Sequence, residues 1–167
     1  MSPISSPDTS NTVTVPFAPG VFTWPDATPR LIGSRCSSCS AETFPAQDTC
    51  PRCGKQTMEE HLLPRRGTLY SWTTQGFLPK APYAGGETPD TFEPFGVGLV
   101  ELGNGEIRVE GRLTESDPEK LRFGMEVELV IVPFRFDPAD PADADGQDTE
   151  VLVYAFKPVA EGGAADA

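Results

Sequence analysis

The chain has 167 residues, enough for one ordinary domain or a small domain with a stapled appendage, and too few for two full cores. Its 18 prolines and 16 glycines predict short elements joined by many turns, with little long helix. The formal net charge is −12, and residues 1–66 balance six basic against six acidic residues, so residues 67–167 carry the whole excess. Such an acidic half argues against non-specific binding to phosphate backbones.

The targeting signals that would place the chain in or across a membrane are absent from its sequence. No run approaches the ~18 apolar residues that a membrane span needs. The first thirty residues have neither the basic segment nor the apolar stretch of a secretory signal peptide. We therefore expect a soluble, cytoplasmic protein.

Four segments are predicted in chain order. Residues 1–29 form an extended, partly disordered N-terminal arm: residues 1–16 are a Ser/Thr/Pro tail, and Phe17, Phe22 and Trp24 are aromatics that could dock elsewhere. A zinc ribbon (30–64), a barrel (65–158) and a disordered small-residue tail (159–167) follow.

The barrel is predicted from five runs with strand character. Each run alternates polar and apolar residues or is rich in β-branched and aromatic residues; the runs are 68–75, 95–102, 106–114, 125–132 and 151–157. Gly103 to Gly105 predict a tight hairpin, and residues 116–125 predict a short helical turn capped by Ser116 or Asp117 and ended by Gly124. The fold class is therefore mainly β, an N-terminal four-cysteine zinc ribbon followed by a five-stranded OB-type barrel with little helix.

Two long loops interrupt the barrel. Residues 76–94 include Phe77, Leu78, Tyr83 and Phe92, and we expect them to form an exposed apolar loop. The other loop is predicted over residues 134–150 and is rich in aspartate. Its residues do not align with the ligand positions of a calcium loop, so it is interpreted as a solvated acidic loop.

Four cysteines carry the strongest motif in the sequence. Cys36 and Cys39 form one C-x-x-C pair, Cys50 and Cys53 form a second, and Gly54 follows as a residue free to adopt positive φ. This spacing is typical of two knuckles that complete a tetrahedral four-cysteine metal site, the alternatives being two disulfides or free thiols. Iron uses the same knuckles, but the short hairpin between them favours structural zinc. Four thiolate ligands leave no open coordination position for a substrate, so the metal is expected to be structural and to stabilise the fold.

The sequence shows no recognisable catalytic motif. The single histidine, His61, has no recognisable partner, and no spare cysteine or G-x-S-x-G nucleophile is present for it to activate. Phosphate-binding glycine loops are also missing. A zinc ribbon followed by an OB barrel can also be a binding module for nucleic acid or another protein, and this alternative stays open.

The order of the motifs resembles that of a known family. The segments that carry the resemblance are R-C-x-x-C at 35–39, Phe44 with Pro45, C-P-R-C-G at 50–54, GTLYSWT at 67–73, GLVEL at 98–102, LRFGMEV at 121–127 and FKP at 156–158. In this order, over roughly residues 30–158, they resemble the rubredoxin-like zinc ribbon and OB-fold family of acyl-CoA-associated accessory proteins. The chain departs from the family in its proline-rich N-terminal segment and its long loop.

The resemblance implies a non-catalytic accessory subunit. Members of that family pair with thiolase-superfamily enzymes, including thiolases and retro-aldol lyases, or with MaoC-type enoyl-CoA hydratases, and help to bind the acyl-CoA. It implies structural zinc, a hetero-oligomer and acyl-CoA as a ligand of the complex. The residues predicted to contact acyl-CoA or the partner are Arg65, Arg66, Trp72, Phe77, Tyr83 and Phe92.

Overall fold

A computed structural model describes residues 12–103, 105, 107–140 and 146–160. Within these residues the chain forms two sheets built from nine strands. The strands are β1 Thr12–Pro16, β2 Ile32–Cys36, β3 Glu42–Thr43, β4 Met58–Leu62, β5 Arg66–Gln75, β6 Phe95–Leu102, β7 Ile107–Leu113, β8 Glu126–Asp137 and β9 Asp148–Pro158.

The five predicted strands close into a barrel. The larger sheet has the order β1-β9-β7-β6-β5-β8, and β8 also pairs with β9, which closes the ring around β5 to β9. Neighbours within this ring are antiparallel except β7 and β9, which pair in parallel through Arg112 with Ala155 and Leu113 with Phe156. This is the closed, OB-type barrel that the alternating runs predict, and the fold class is confirmed.

The ribbon is a small three-stranded sheet of order β3-β2-β4. It shares one hydrophobic core with the barrel, because Phe22, Leu31 and Leu63 cluster with barrel residues such as Leu69 and Phe156. The guanidinium of Arg30 also donates hydrogen bonds to the carbonyl oxygens of Leu62 (2.8 Å) and Leu63 (3.0 Å). The ribbon is therefore fixed against the barrel by both packing and hydrogen bonds.

The predicted turns are found, with one correction. β6 and β7 pair up to Leu102 and Ile107, and Gly103 (φ 62°) and Gly105 (φ 82°) turn the hairpin with positive φ. The helical turn predicted at 116–125 is shorter: a 3-10 helix spans Pro118–Lys120, capped by Asp117. It ends early because Leu121 is extended and buries its side chain in the core.

The part of the chain that the structure describes contains no helix long and apolar enough to cross a membrane.

Two further predictions are wrong at the barrel's edge. Residues 12–16 were expected in a frayed tail, but they form β1, which pairs in parallel with β9 from Thr12 opposite Asp148 to Pro16 opposite Leu152. β7 pairs with β9 only at residues 155 and 156. β1 pairs with the earlier part of β9, residues 148–152. The loop expected over 134–150 is correspondingly shorter, since β8 continues to Asp137 across an irregularity between Pro133 and Arg135. Residues 141–145 of the acidic loop, and residues 1–11 and 161–167 of the tails, lie outside the described residues.

We expect Gly96→Ala to destabilise the barrel. A Cβ on this buried β6 residue would lie 2.5 Å from the backbone oxygen of Glu115 and 3.0 Å from Leu113 Cβ. Backbone cannot move aside easily, so the overpacking costs about 1–3 kcal/mol. Thermal denaturation should show a lower Tm for this variant and an unchanged Tm for Gly76→Ala, whose Cβ would meet nothing within 4 Å. Equal melting of the two variants would contradict the close approach.

Candidate metal centre and long loop

The two cysteine knuckles have the same backbone design. The amide of Ser40 donates to the carbonyl of Cys36 (2.8 Å), and the amide of Gly54 donates to the carbonyl of Cys50 (2.9 Å). Both turning residues have positive φ, 59° at Ser40 and 70° at Gly54. The sequence identifies Gly54 as this turning residue, whereas Ser40 was missed because serine rarely takes that conformation.

The knuckles bring four sulfur atoms to one point. All four Sγ atoms, from Cys36, Cys39, Cys50 and Cys53, lie within 4.8 Å of one another, and the separations are 3.7 Å for Cys36 and Cys53 and 3.6 Å for Cys39 and Cys50. Zn–S bonds of about 2.3 Å in a tetrahedron place the sulfurs about 3.8 Å apart, so the spacing fits zinc. The cysteines are free thiols, so the disulfide alternative does not describe this arrangement.

Hydrogen bonds favour the thiolate form that a metal requires at two of the cysteines, Cys36 and Cys50. At Cys39 the backbone amide of Ala41 acts in the same direction, but burial and the neighbouring Cys50 sulfur outweigh it and raise the pKa to about 11. The hydroxyl of Thr57 lies 3.2 Å from Cys36 Sγ and is the main cause that lowers the pKa of Cys36 to about 6. The backbone amide of Cys53 is the main cause that lowers the pKa of Cys50. Sequence reasoning missed Thr57, because it meets Cys36 only when the hairpin has folded. These donors stabilise negative sulfur, which is the ligand form for zinc.

His61 does have a partner, contrary to the sequence interpretation. Its Nε2 lies 3.3 Å from Glu42 Oε1, and the two residues belong to the ribbon strands β4 and β3; Arg35 approaches the same carboxylate at 3.8 Å. The Glu42 side chain is 5% exposed, so its carboxylate needs polar partners such as these. The contact explains His61 as part of the ribbon's structure.

The two predicted junction arginines are both paired with carboxylates of β8. Arg65 Nη2 donates to the carbonyl of Leu129 (3.0 Å) and lies 3.4 Å from Glu128. Arg66 Nη1 lies 3.3 Å from Glu126. An anionic ligand at this junction would compete with these glutamates, and Arg66, with 38% of its side chain exposed against 28% for Arg65, is the more accessible of the two.

The long loop (76–94) exposes less apolar surface than the sequence predicts. Phe77 is 73% exposed, as expected. Leu78, Tyr83 and Phe92 are instead half-buried. The Phe92 ring packs edge-on against Phe95 of β6 with ring centroids 6.0 Å apart. The expectation of four exposed side chains was wrong because this loop folds back on the barrel.

Trp72 belongs to a different surface. Its ring stacks on Phe123 with centroids 6.2 Å apart and an interplanar angle of 26°. Phe123 is 74% exposed, so the pair presents an aromatic face at the turn before β8. Phe123 was missed because a lone phenylalanine in a short turn carries no pattern.

A cavity of about 310 Å³ opens on the barrel wall beside the long loop. Its lining includes Tyr83 from the loop, Phe95 from β6, Arg112 from β7 and Phe134 from β8. Arg112 Nη2 donates to Tyr83 Oη at 2.6 Å, and burial is the main cause that raises the pKa of that tyrosine. These residues are separated in sequence and meet only in the closed barrel, so no local motif marked Arg112.

The structure thus defines a class of protein: a four-cysteine zinc ribbon fused through a shared core to an OB-type barrel with an aromatic loop. The chain belongs to the ChsH2 family. The model for the ChsH2 rubredoxin-like zinc ribbon domain matches residues 23–59, and the model for the ChsH2 C-terminal OB-fold domain matches residues 60–132. The resemblance seen in the motifs is confirmed, and the zinc ribbon domain with its four cysteines supports structural zinc.

Curated relatives extend over most of the chain. A "DUF35 domain-containing scaffold protein" of Methanocaldococcus jannaschii is 31% identical over 133 residues, which cover 77% of this chain and 82% of the relative. A protein of the same description from Pyrococcus furiosus is 32% identical and covers 77% and 81%. The benzoylsuccinyl-CoA thiolase subunit BbsA of Thauera aromatica is 35% identical over 103 residues, 62% of this chain and 64% of BbsA.

A solved structure has a similar fold. It is described as an Ltp2-ChsH2(DUF35) aldolase, and it aligns with a TM-score of 0.51 and 27% identity over 77% of this chain and 84% of the matched chain. The curated relatives are thus described as scaffold proteins and a thiolase subunit, and the solved structure as an aldolase.

Proposed function

We propose that this chain is a non-catalytic accessory subunit of a CoA-dependent thiolase-superfamily enzyme, either a thiolase or a retro-aldol lyase acting on an acyl-CoA. The observation that carries the proposal is family membership, with one relative described as a thiolase subunit and a similar solved structure described as an aldolase. In this role the chain structures the complex and helps to bind the acyl-CoA.

The chemistry of the described residues is consistent with an accessory role. The four cysteine sulfurs converge on one point, and a metal held there by four thiolates would have no open position for a substrate. His61 contacts the buried Glu42 carboxylate instead of a nucleophile's hydroxyl. The most exposed aromatic side chains among the described residues are Phe77 and Phe123, and such side chains bind a partner by burial of apolar surface.

The acyl-CoA part of the proposal involves the cationic residues of the ribbon side. Residues 67–167 hold the whole negative excess, so phosphates are better accommodated near residues 1–66. Arg65 and Arg66 lie at the junction and remain the proposed contacts for the phosphates of CoA, with Arg66 the more accessible. Trp72, Phe77, Tyr83 and Phe92 are the proposed apolar contacts.

We expect the isolated chain to turn over no acyl-CoA and the partner to need it for full activity. The test is to purify the tagged chain from its native cell, identify the co-eluting enzyme, and measure C–C bond cleavage or formation for chain, partner and reconstituted complex. Turnover by the chain on its own would contradict the accessory role. Co-elution with a MaoC-type hydratase instead of a thiolase-type enzyme would overturn the partner assignment.

A further inference from the structure

Arg112 is held between aromatic rings on the outer wall of the barrel. Its Cζ lies 3.8 Å from the centroid of the Phe95 ring and 5.2 Å from that of Phe134. Arg112 sits in β7, paired with Val97 of β6 and Ala155 of β9, so its backbone belongs to the rigid barrel. Cation–π stacking fixes the plane of the guanidinium and aims its donors at the long loop.

Tyr83 is the loop's contact with this arginine. Its hydroxyl accepts from Arg112 Nη2 at 2.6 Å and donates to Glu87 Oε1 at 3.1 Å. The Tyr83 ring packs edge-on against Phe134 with centroids 5.9 Å apart. Gly85 is buried beneath this group, and a Cβ there would collide with the Tyr83 hydroxyl and the Glu87 carboxylate. The loop is therefore shaped around the arginine contact.

A second arginine holds the next residue of the loop. Arg135 Nη1 donates to the carbonyl of Ala84 (3.0 Å), and Asp137 fixes that arginine through two contacts of 2.8 and 2.9 Å to Arg135 Nε. The middle of the loop is thus attached to the barrel at Tyr83 and Ala84, while Phe77 near its start is left 73% exposed. An anchored loop loses less conformational entropy on binding than a mobile one.

We infer that Arg112 is a positioning residue for docking: by holding Tyr83 it keeps loop 76–94 in one conformation and presents Phe77 to an apolar surface of the thiolase-type partner. This inference rests on the proposed function. Partner affinity then depends on Arg112, a residue of β7 outside the loop, because Arg112 keeps the loop ordered.

Lys80 supplies a direct measure of loop order. It is the one lysine or arginine in residues 76–94, so trypsin can cut the loop only after it. Its carbonyl accepts from the amide of Tyr83 at 3.2 Å, so cleavage requires the anchored turn to open. We expect Arg112→Gln to raise the rate of cleavage after Lys80 about tenfold, because a charge-assisted hydrogen bond that closes the loop is lost.

Arg108→Gln is the matched control. Arg108 lies on the same strand and has the same kinds of contact, an ion pair with Glu101 at 3.0 Å and a cation–π contact with Tyr70 at 3.6 Å, but the loop is not among these partners. Its cleavage rate after Lys80 should match that of the wild type. Tyr83→Phe, which also loses the bond to Glu87, should open the loop at least as much as Arg112→Gln does. The double variant should add little to Tyr83→Phe, since both changes remove the same Arg112–Tyr83 bond. A general loss of stability would instead make the two effects additive.

Binding of the thiolase-type subunit tests whether the ordered loop is the docking element. With the reconstituted thiolase-type subunit, Arg112→Gln and Tyr83→Phe should both bind about tenfold more weakly than Arg108→Gln, at equal zinc content. Unchanged cleavage after Lys80 would overturn the positioning role and leave the proposed function intact. Faster cleavage with unchanged affinity would overturn the docking role. If the wild-type chain binds no such subunit, the proposed function fails and the docking inference fails with it, whereas the cleavage rates still report whether Arg112 holds the loop.

Discussion

Cys39→Ser is expected to abolish stoichiometric zinc binding and to unfold the ribbon. The buried apolar residues of the ribbon's own cluster are Cys36, Ala41 and Cys50, with Cys39 and Met58 packed beside them, so the metal ligands themselves are most of its core. A structural zinc site contributes on the order of 10 kcal/mol or more to folding, which such a small cluster cannot replace. Solubility and partner binding should fall with it.

Elemental analysis of protein purified without chelator provides the measurement. The wild type should contain one zinc per chain and Cys39→Ser close to none, while Ser38→Ala, which changes an exposed residue of the same knuckle, should keep its zinc. Stoichiometric iron and a red colour would revise the metal. Full zinc content in Cys39→Ser would contradict the four-thiolate centre.

The second large effect is expected from the long loop. Deleting residues 79–91 removes Tyr83 and Ala84, the two points at which the loop is attached to the barrel, and it should abolish complex formation without loss of zinc. Phe77→Ser is the finer test, because burial of a phenylalanine side chain contributes roughly 1.5–3 kcal/mol. We expect the single substitution to weaken binding of the partner about 10- to 100-fold, measured by titration of the purified subunits.

Phe123→Ser is the control for Phe77→Ser. The two phenylalanines are almost equally exposed, 74% and 73%, but Phe123 lies on the separate surface that it forms with Trp72. Binding lost in Phe123→Ser and kept in Phe77→Ser would move the docking surface to Trp72. A deletion variant that still co-elutes with the partner and supports full turnover would show that the loop is not the docking element.

Short-range residue patterns in the sequence predicted the ribbon and the barrel strands. Two C-x-x-C pairs on tight turns can be recognised from spacing, because each knuckle is a few residues long and its hydrogen bonds are local. The five barrel strands were found for a similar reason, since alternation over four to eight residues records which face of a strand is buried. Gly103 to Gly105 were predictable as a hairpin because their φ values suit glycine.

Pairing between distant segments is what sequence reasoning missed. β1 lacks a strong pattern of its own, and it is a strand because β9, which begins at Asp148, offers it an edge far along the chain. The same holds for single contacts: Thr57 with Cys36, Glu42 with His61 and the stacked Phe123 become visible only when the hairpins and turns that carry them are folded.

The sequence by itself determined the four converging cysteines, the fold class and the presence of an aromatic loop, because these depend on residue type and short spacing. The tertiary structure decided which of the loop's aromatics faces solvent. Tyr83 and Phe92 turn inward because the barrel provides Arg112 and Phe95 at the right distance, and Phe77 remains outside. Which loop aromatics are buried depends on the closed ring of β5 to β9, because the ring places residues of different strands around one cavity.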